Sequence, residues 1–216
     1  LGFNNPGILE GIKNLKENKQ YYPGIVGVSI GKNKDTPLSE AFKDYVFCLK
    51  ESYESADYIA INISSPNTKD LRLLSEQDYF SSLIKKIMSA KEKLKIKHQK
   101  ETPFFVKISP DEDLSHLTHI IEESISSGIS GLIVSNTSLG EFENFRGGLS
   151  GKLLQDKSLE TLKAVNEINK GRLSIISSGG IFDRADIIER SKLGADLFQI
   201  YTGFVFEGPK ILDELL

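Results

Sequence analysis

The feature that most constrains the fold of this chain is a regular alternation of short apolar segments with amphipathic segments. The apolar segments are 25–30, 58–63, 104–108, 132–135, 173–177 and 197–201. They lack strict polar–apolar alternation, as do the strands of parallel sheets that helices cover. Between them, apolar residues recur at helical spacing, which predicts repeated βα units. The predicted helices span 8–19, 39–54, 79–94, 114–126, 158–169 and 184–193, and a final helix begins at Glu207.

Polar or small residues stand at or just beyond the carboxyl end of each apolar segment. They are Ser29, Asn62, Lys107, Ser135, Gly179 and Tyr201. In a (β/α)8 TIM barrel these strand ends form one rim, which carries the active site. An open doubly wound sheet also binds ligands at its strand ends, but its usual Gly-x-Gly-x-x-Gly motif is absent here. The α/β class and a TIM barrel are therefore predicted.

The chain is expected to be one partial barrel domain over residues 1–216. A TIM barrel has eight strands and six are visible, so we expect the first two strands to precede residue 1. The chain begins with Leu1, and no signal-peptide pattern follows, so we expect it to start inside a longer protein.

Charge and composition argue against several functional classes. The formal net charge of −3 offers no basic field for nucleic acid, and no nucleic-acid partner is predicted. A single cysteine, Cys48, excludes an internal disulfide framework and fits a reducing compartment. No apolar run approaches the ~18 residues that a membrane-spanning helix needs.

Glycine-rich segments follow the last three apolar segments, at 147–151, 178–180 and 201–203. Glycines let backbone N–H groups approach a phosphate closely, and barrels often build a phosphate site after strands 7 and 8. A tight turn would also explain Gly-Gly. The consecutive loops, together with Thr202, favour a cofactor or substrate that carries phosphate.

Lys107 lies within an apolar strand, where a lysine is costly unless it is used. It could pair with a buried carboxylate, form a Schiff base, or hold a positive charge beside an electron-rich cofactor ring. Asn62, Asn67, Asn136 and Thr137 follow two strands and suit a planar substrate with imide edges and a carboxylate. Each asparagine alone could be a turn former.

The three histidines indicate no chemistry. His116 and His119 are three residues apart, but no cysteine or acidic ligand is spaced to complete a site, so no metal is predicted. No Ser-His-Asp arrangement can be proposed either.

Several motifs occur in the order found in one known family. They are Leu-Gly-Phe-Asn-Asn (1–5), Gly-Lys-Asn-Lys-Asp (31–35), Ile-Asn-Ile-Ser-Ser-Pro-Asn-Thr (61–68), Val-Lys-Ile-Ser-Pro-Asp (106–111), Ser-Asn-Thr-Ser (135–138), Gly-Gly-Leu-Ser-Gly (147–151) and Ser-Gly-Gly-Ile (178–181). The chain resembles dihydroorotate dehydrogenases over essentially its whole length. It is most similar to the class 2, quinone-linked, membrane-associated type in its bacterial form.

The resemblance implies an FMN-containing barrel that oxidises (S)-dihydroorotate to orotate in pyrimidine (UMP) biosynthesis, with a quinone as electron acceptor. It makes Ser65 the catalytic base, where class 1 enzymes have cysteine. The substrate-binding residues would be Gly2, Phe3, Asn62, Asn67, Asn136 and Thr137. The residues that contact FMN would be Ser29, Asn62, Lys107, Ser135, Gly151, Gly180, Tyr201 and Thr202.

The resemblance also implies a place in the cell, namely peripheral contact with the cytoplasmic side of the inner membrane through a segment ahead of residue 1. Three departures from the family pattern stand out: Ser29 replaces the usual Asn, Lys69-Asp70 replaces Pro-Gly, and the segment 138–147 is shorter. The alternatives are a phosphate-binding barrel lyase or aldolase that uses Lys107, a class 1-like soluble flavin oxidoreductase, and a barrel that only binds a ligand.

Overall fold

The computed structural model describes residues 5–66, 71–142 and 145–216. Within these residues the strands are β1 (Gly27–Ile30), β2 (Tyr58–Asn62), β3 (Phe104–Lys107), β4 (Gly131–Val134), β5 (Ser138–Phe142), β6 (Phe145–Leu149), β7 (Ser174–Ser178) and β8 (Leu197–Gln199). The helices are α1 (Ile8–Lys19), α2 (Ala41–Ser52), α3 (Gln77–His98), α4 (Leu114–Ser126), α5 (Gln155–Asn169), α6 (Arg184–Lys192), α7 (Thr202–Glu207) and α8 (Ile211–Leu215). Short 3-10 helices lie at Leu38–Glu40, Leu71–Ser75, Gly151–Leu154 and Gly208–Lys210.

Six strands form one parallel sheet in the order β1-β2-β3-β4-β7-β8. A helix from α2 to α6 connects each strand to the next strand of this sheet, which is the expected βα repeat. The prediction of an α/β barrel architecture is confirmed: the chain is a partial (β/α) barrel. The two further strands that we expect for a complete barrel stay a prediction.

The central strands β2, β3 and β4 are buried on both faces, which explains why they are apolar without alternation. On the helix-covered face, Ile59, Val106 and Leu132 belong to a large core that the helices α2 to α5 complete. The opposite face carries a smaller apolar cluster of buried side chains. Its members are Ala60, Phe105, Ile133 and Ile176, with Tyr58 packed against them.

The face opposite the helices, here called the inner face, is apolar in the middle of the sheet and polar at the carboxyl ends of the strands. Ala60 lies beside Phe105, and two residues further along Asn62 lies beside Lys107. Because side chains alternate along a strand, these four residues share one face. The inner face therefore has an apolar floor and a polar rim.

The bounds of α1 and α4 are as predicted, but the hairpin of β5 and β6 was not predicted. Its strands pair antiparallel, with Ser138 opposite Leu149. Glycines at 140, 147 and 148 have low strand propensity, so the sequence there indicates a loop. Pairing between the two short strands overrides that preference.

The final helix that was predicted from Glu207 onward is present as a 3-10 turn, Gly208–Lys210, followed by α8. Helix α7, which ends at Glu207, was not predicted. Gly203 and the bulky residues after it have low helix propensity, so the sequence does not indicate α7. A side chain at Gly203 would meet Ile211 Cδ1 at 2.6 Å, so close packing between α7 and α8 favours glycine there.

Candidate active site

A cavity of about 640 Å³ opens at the carboxyl ends of the parallel strands. Eleven of the predicted catalytic, substrate-binding and cofactor-binding residues line it. They are Ser29, Asn62, Ser65, Lys107, Ser135, Asn136, Thr137, Gly151, Gly180, Tyr201 and Thr202. The structure thus brings together residues that lie up to 173 positions apart in the chain. Their individual roles stay predictions.

Three predicted substrate contacts, Gly2, Phe3 and Asn67, lie outside the described residues. The same holds for the Lys69-Asp70 departure from the family pattern.

Hydrogen bonds hold both the backbone and the side chain of Asn62 at the rim. The buried Tyr45 hydroxyl donates to the Asn62 carbonyl oxygen at 2.6 Å. Burial raises the pKa of Tyr45, so this hydroxyl stays protonated as a donor. Asn62 Oδ1 accepts from the backbone N–H of Ser64 at 3.2 Å and from Asn136 Nδ2 at 3.4 Å. With its oxygen engaged, Asn62 offers its NH₂ group to a ligand.

The Asn136 side chain joins the two loops that carry the predicted substrate contacts. Its Nδ2 donates to Ser64 Oγ at 3.1 Å, and its Oδ1 accepts from the Thr137 N–H at 2.8 Å. The hydroxyl oxygen of Thr137 is buried without a hydrogen-bond partner in the described part of the chain. Since a buried hydroxyl is costly without a partner, it is suited to bonding a ligand in the cavity.

Arg72 was missed by sequence reasoning, although it supports both of these loops. Its Nε donates to the Ser64 carbonyl at 3.2 Å, next to Ser65, and one NH₂ group donates to the Thr137 carbonyl at 3.1 Å. The other NH₂ group donates to Asp111 Oδ2 at 2.7 Å. Arg72 follows the polar cluster in sequence, but nothing in the sequence shows that its contacts are backbone carbonyls.

Asp111 binds Arg72 and also the start of the β5–β6 hairpin. Its carboxylate accepts from Ser138 Oγ at 2.6 Å, from the Leu139 N–H at 2.7 Å, and from Lys157 and Arg72. Burial by itself raises the pKa of Asp111. The hydrogen bonds from Lys157, Ser138, Leu139 and Arg72 more than offset burial and lower the pKa to about 2. Asp111 is therefore a permanent anion at neutral pH.

Lys107 projects from the end of β3 beside Asn62. Burial lowers the pKa of its ammonium group, and no hydrogen bond or ion pair with a described residue offsets this. The carboxylate partner that was one expectation for Lys107 is thus not present in residues 5–66, 71–142 and 145–216. A cation in this position suits a ligand that carries or develops negative charge.

The other end of the cavity is built from glycine-rich turns. Gly151 and Gly180 have φ of +66° and +73°, a region that favours glycine. A side chain at Gly180 would meet Gln155 Cα at 2.6 Å. Ser150 Oγ and Thr202 Oγ1 lie 3.0 Å apart across the mouth, and Tyr201 stands beside them with most of its surface exposed. Backbone N–H groups and hydroxyls in a tight cradle are groups that bind phosphate.

Further lining residues were not predicted as site residues, and Phe182 and Gln199 are the most informative. Gln199 interrupts the apolar segment of β8, which is the same signal that identified Lys107. Its Nε2 donates to the Tyr58 hydroxyl at 3.4 Å. Phe182 follows the Gly179-Gly180 turn. The sequence does not identify it as a site residue, because a phenylalanine is ordinarily expected in the hydrophobic core.

Other parts of the described chain have fewer groups that could bind a ligand or a metal. A second cavity of about 740 Å³ lies between α1 and β1, and its one lysine, Lys32, donates to the Asn33 and Thr36 carbonyls. His116 and His119 have different neighbours, Glu112 with Asp113 and Ser81. No group of three potential metal ligands occurs in the described residues. None of their helices is long and apolar enough to cross a membrane.

The fold and the cavity define a class of protein, a partial βα-barrel with a polar site and glycine-rich turns at the strand ends. Comparison with known proteins identifies the family. The family model of dihydroorotate dehydrogenase matches residues 1–216, and the chain belongs to this family.

The similar proteins agree with this assignment. Dihydroorotate dehydrogenase (quinone) of Haemophilus influenzae (strain PittEE) is 42% identical over 222 residues, covering 100% of this chain and 65% of the relative. The protein of the same name from Akkermansia muciniphila is 40% identical, covering 99% of this chain and 63% of the relative. The crystal structure of ligand-free DHODH from Eimeria tenella has a TM-score of 0.90 at 32% identity, covering 99% of this chain and 66% of that one. The chain thus spans about 65% of the length of the curated relatives it matches.

Proposed function

We propose that the protein oxidises (S)-dihydroorotate to orotate with FMN as cofactor and a quinone as electron acceptor, a step of pyrimidine (UMP) biosynthesis. One observation carries the proposal. A single cavity at the ends of adjacent strands collects Ser65, Asn62, Asn136, Thr137 and Lys107. Relatives in the comparisons are named dihydroorotate dehydrogenase (quinone), which supports the proposed substrate and acceptor.

The amides and the hydroxyl fit a planar substrate. Asn62 and Asn136 hold each other through one hydrogen bond, so their remaining donors have fixed directions. Thr137 adds a buried hydroxyl that lacks a described partner. A substrate with imide edges and a carboxylate would satisfy all three side chains, and Asn67 would add a fourth contact.

Ser65 is the proposed base that takes the proton from C5 of the substrate. None of the described lining residues is a histidine, an aspartate or a glutamate. A serine is a weak base at its ordinary pKa, so the proton passes on through a hydrogen-bonded water or a neighbouring hydroxyl. The burial of Ser65 keeps bulk water from this path.

The cavity also fits FMN. The glycine turns and Thr202 would hold the phosphate, and Ser29, Asn62, Ser135 and Tyr201 would contact the rest of the cofactor. When bound, FMN supplies the acceptor for the hydride that leaves C6 of the substrate. Lys107 would lie against the flavin, where its charge stabilises the negative charge that reduction creates. Lys107 has no described partner, and this observation supports the fit.

The proposed electron acceptor also indicates where the protein acts. We infer that the protein meets the cytoplasmic side of the inner membrane peripherally, since its acceptor would be a lipid-soluble quinone. The support is the serine at position 65 and the word quinone in the names of the relatives.

The test uses the purified full-length protein loaded with FMN. Addition of dihydroorotate without oxygen is expected to bleach the visible absorbance of the flavin, and a quinone is expected to restore it. A flavin that stays oxidised would contradict the proposal. Bleaching that no quinone reverses would favour the class 1-like soluble oxidoreductase.

A lyase or aldolase is the second candidate, because burial lowers the pKa of Lys107 and thereby favours the neutral amine that a Schiff base needs. Borohydride reduction in the presence of phosphorylated carbonyl substrates would fix a ligand to Lys107. An unchanged protein mass would exclude this function for the substrates used. A barrel that only binds its ligand would bind dihydroorotate without any change in the flavin.

A further inference from the structure

Arg190 is the largest fully buried side chain in the described part of the chain, and the proposed reaction does not use it. It lies on α6, behind the glycine turn that follows β7. One NH₂ group donates to Ser177 Oγ at 2.9 Å. The other donates to Ser158 Oγ at 2.8 Å and to the Gly179 carbonyl.

The charge of Arg190 is not neutralised by a contact in the described residues. Its hydrogen bonds there all go to hydroxyl or carbonyl oxygens, and its Nε has no partner. Burial lowers the pKa of Arg190, and the nearby charges of Asp186 and Glu189 offset this only in part. The Asp186 carboxylate itself accepts from Gln155 and from the Phe182 N–H. A buried cation without a paired anion is costly, so a site for an anion nearby would compensate it.

The hydrogen bond to Gly179 determines where the next peptide N–H points. The Gly179 carbonyl accepts from Arg190, and Ser158 Oγ lies 2.8 Å from it. Ser158 Oγ lies equally close to the Gln155 carbonyl, so these two carbonyls share its one proton. The peptide that joins Gly179 and Gly180 is trans, so its N–H points opposite to its C=O. Since the carbonyl faces Arg190 behind the turn, the Gly180 N–H faces the cavity that Gly180 lines.

We propose that Arg190 is a positioning residue for the phosphate of FMN: it locks the Gly179–Gly180 peptide so that the Gly180 N–H donates to the phosphate. The buried guanidinium also adds positive potential behind this donor. The inference rests on the proposed function, because it assumes that FMN occupies the cavity. It predicts that Arg190 contributes to the binding of FMN but hardly to the binding of riboflavin, which lacks the phosphate.

The test is a fluorescence titration of cofactor-free, full-length protein with FMN and, separately, with riboflavin. For Arg190→Met we expect the affinity for FMN to fall about 10-fold or more, the scale of a lost charge-assisted hydrogen bond. The affinity for riboflavin should fall less than about 2-fold, because the rest of the cavity is unchanged. Arg190→Lys keeps the charge but not the paired donors, so its effect should be intermediate.

Arg172→Met is the matched control, because Arg172 pairs with Glu122 on an exposed surface and touches no cavity residue. Its affinities for both flavins should equal those of the wild type. Ser158→Ala removes the second donor to the Gly179 carbonyl, and it serves if Arg190→Met does not fold. It should also weaken FMN more than riboflavin.

Equal losses for FMN and riboflavin in Arg190→Met or Ser158→Ala would overturn the inference, since a merely structural role predicts that result. A wild type that binds both flavins equally would overturn it too. The proposed function fails differently, with a wild type that binds neither flavin.

Discussion

At the scale of single residues, the candidate site contains buried polar groups that lower the stability of the folded protein. The packing of the rest of the fold compensates for this loss. Lys107 shows this most clearly, because it ends an apolar strand and burial lowers the pKa of its ammonium group. Such a group destabilises the protein without ligand and gains its favourable interaction only when the ligand is present. Active sites commonly trade stability for function in this way.

Lys107→Met is therefore expected to stabilise the FMN-free protein while it slows reduction of bound FMN. We expect the Tm to rise by about 2–4 °C, which corresponds to ~1 kcal/mol for a chain of this size. The cost of the charge is complete below the lowered pKa of Lys107, and it falls as the pH rises from that pKa towards the ordinary value of 10.5. The advantage of the variant should thus shrink at alkaline pH.

Thermal unfolding of wild type and variant at several pH values measures this effect. Lys85→Met on the exposed side of α3 is the control and should leave the Tm unchanged. A lower Tm for Lys107→Met at neutral pH would show that Lys107 stabilises the fold instead.

Residue chemistry could be predicted where a polar residue interrupts an apolar strand or follows it directly. Lys107, Asn62 and Asn136 gave that signal, and the structure brings all three to one cavity. Arg72 and Arg190 gave none, because their contacts are largely with carbonyl and hydroxyl oxygens of segments distant in sequence. Such contacts exist only once the tertiary structure has formed.

At the scale of elements, three loops are joined by one ionic cluster rather than by secondary structure. Arg72 contacts the loop after β2 and the loop after β4, and Asp111 joins Arg72 to the start of the β5–β6 hairpin. The sequence predicted helices α1 to α6 from the helical spacing of their apolar residues, and the parallel strands from their short apolar runs. It did not predict the hairpin, whose pairing depends on the partner strand and on Asp111.

Asp111→Asn is expected to lower the free energy of unfolding at pH 7 by roughly 2 kcal/mol, from the difference between its pKa of about 2 and the ordinary value of 3.8. Because the folded pKa is the lower one, this stabilisation is complete well above pH 3.8 and is lost as the pH falls towards 2. The difference between wild type and variant should therefore narrow between about pH 5 and pH 3.

Urea unfolding across this pH range measures the difference. Asp35→Asn in an exposed loop is the control and should match the wild type throughout. If the wild type and Asp111→Asn differ by the same amount at every pH, the ionic cluster does not contribute as described.

At the scale of the whole molecule, the order of the six parallel strands creates the site. Every strand of the sheet points its carboxyl end to the same side, so residues from the loops after β2, β4, β7 and β8 meet there. The sequence predicted this meeting because the polar residues follow each strand. It could not give the distances, since register and loop conformation depend on packing across the whole sheet.

The central claim is that the residues gathered at this rim perform the chemistry, with Ser65 as the base. The most direct measurement is the single-turnover rate of FMN reduction by dihydroorotate in oxygen-free, full-length Ser65→Ala protein. We expect reduction to slow by about 10²-fold or more, the usual scale for the loss of a general base, with FMN still bound. Ser126→Ala, on the exposed side of α4, should reduce FMN at the wild-type rate. A Ser65→Ala protein that reduces FMN as fast as the wild type would contradict the account.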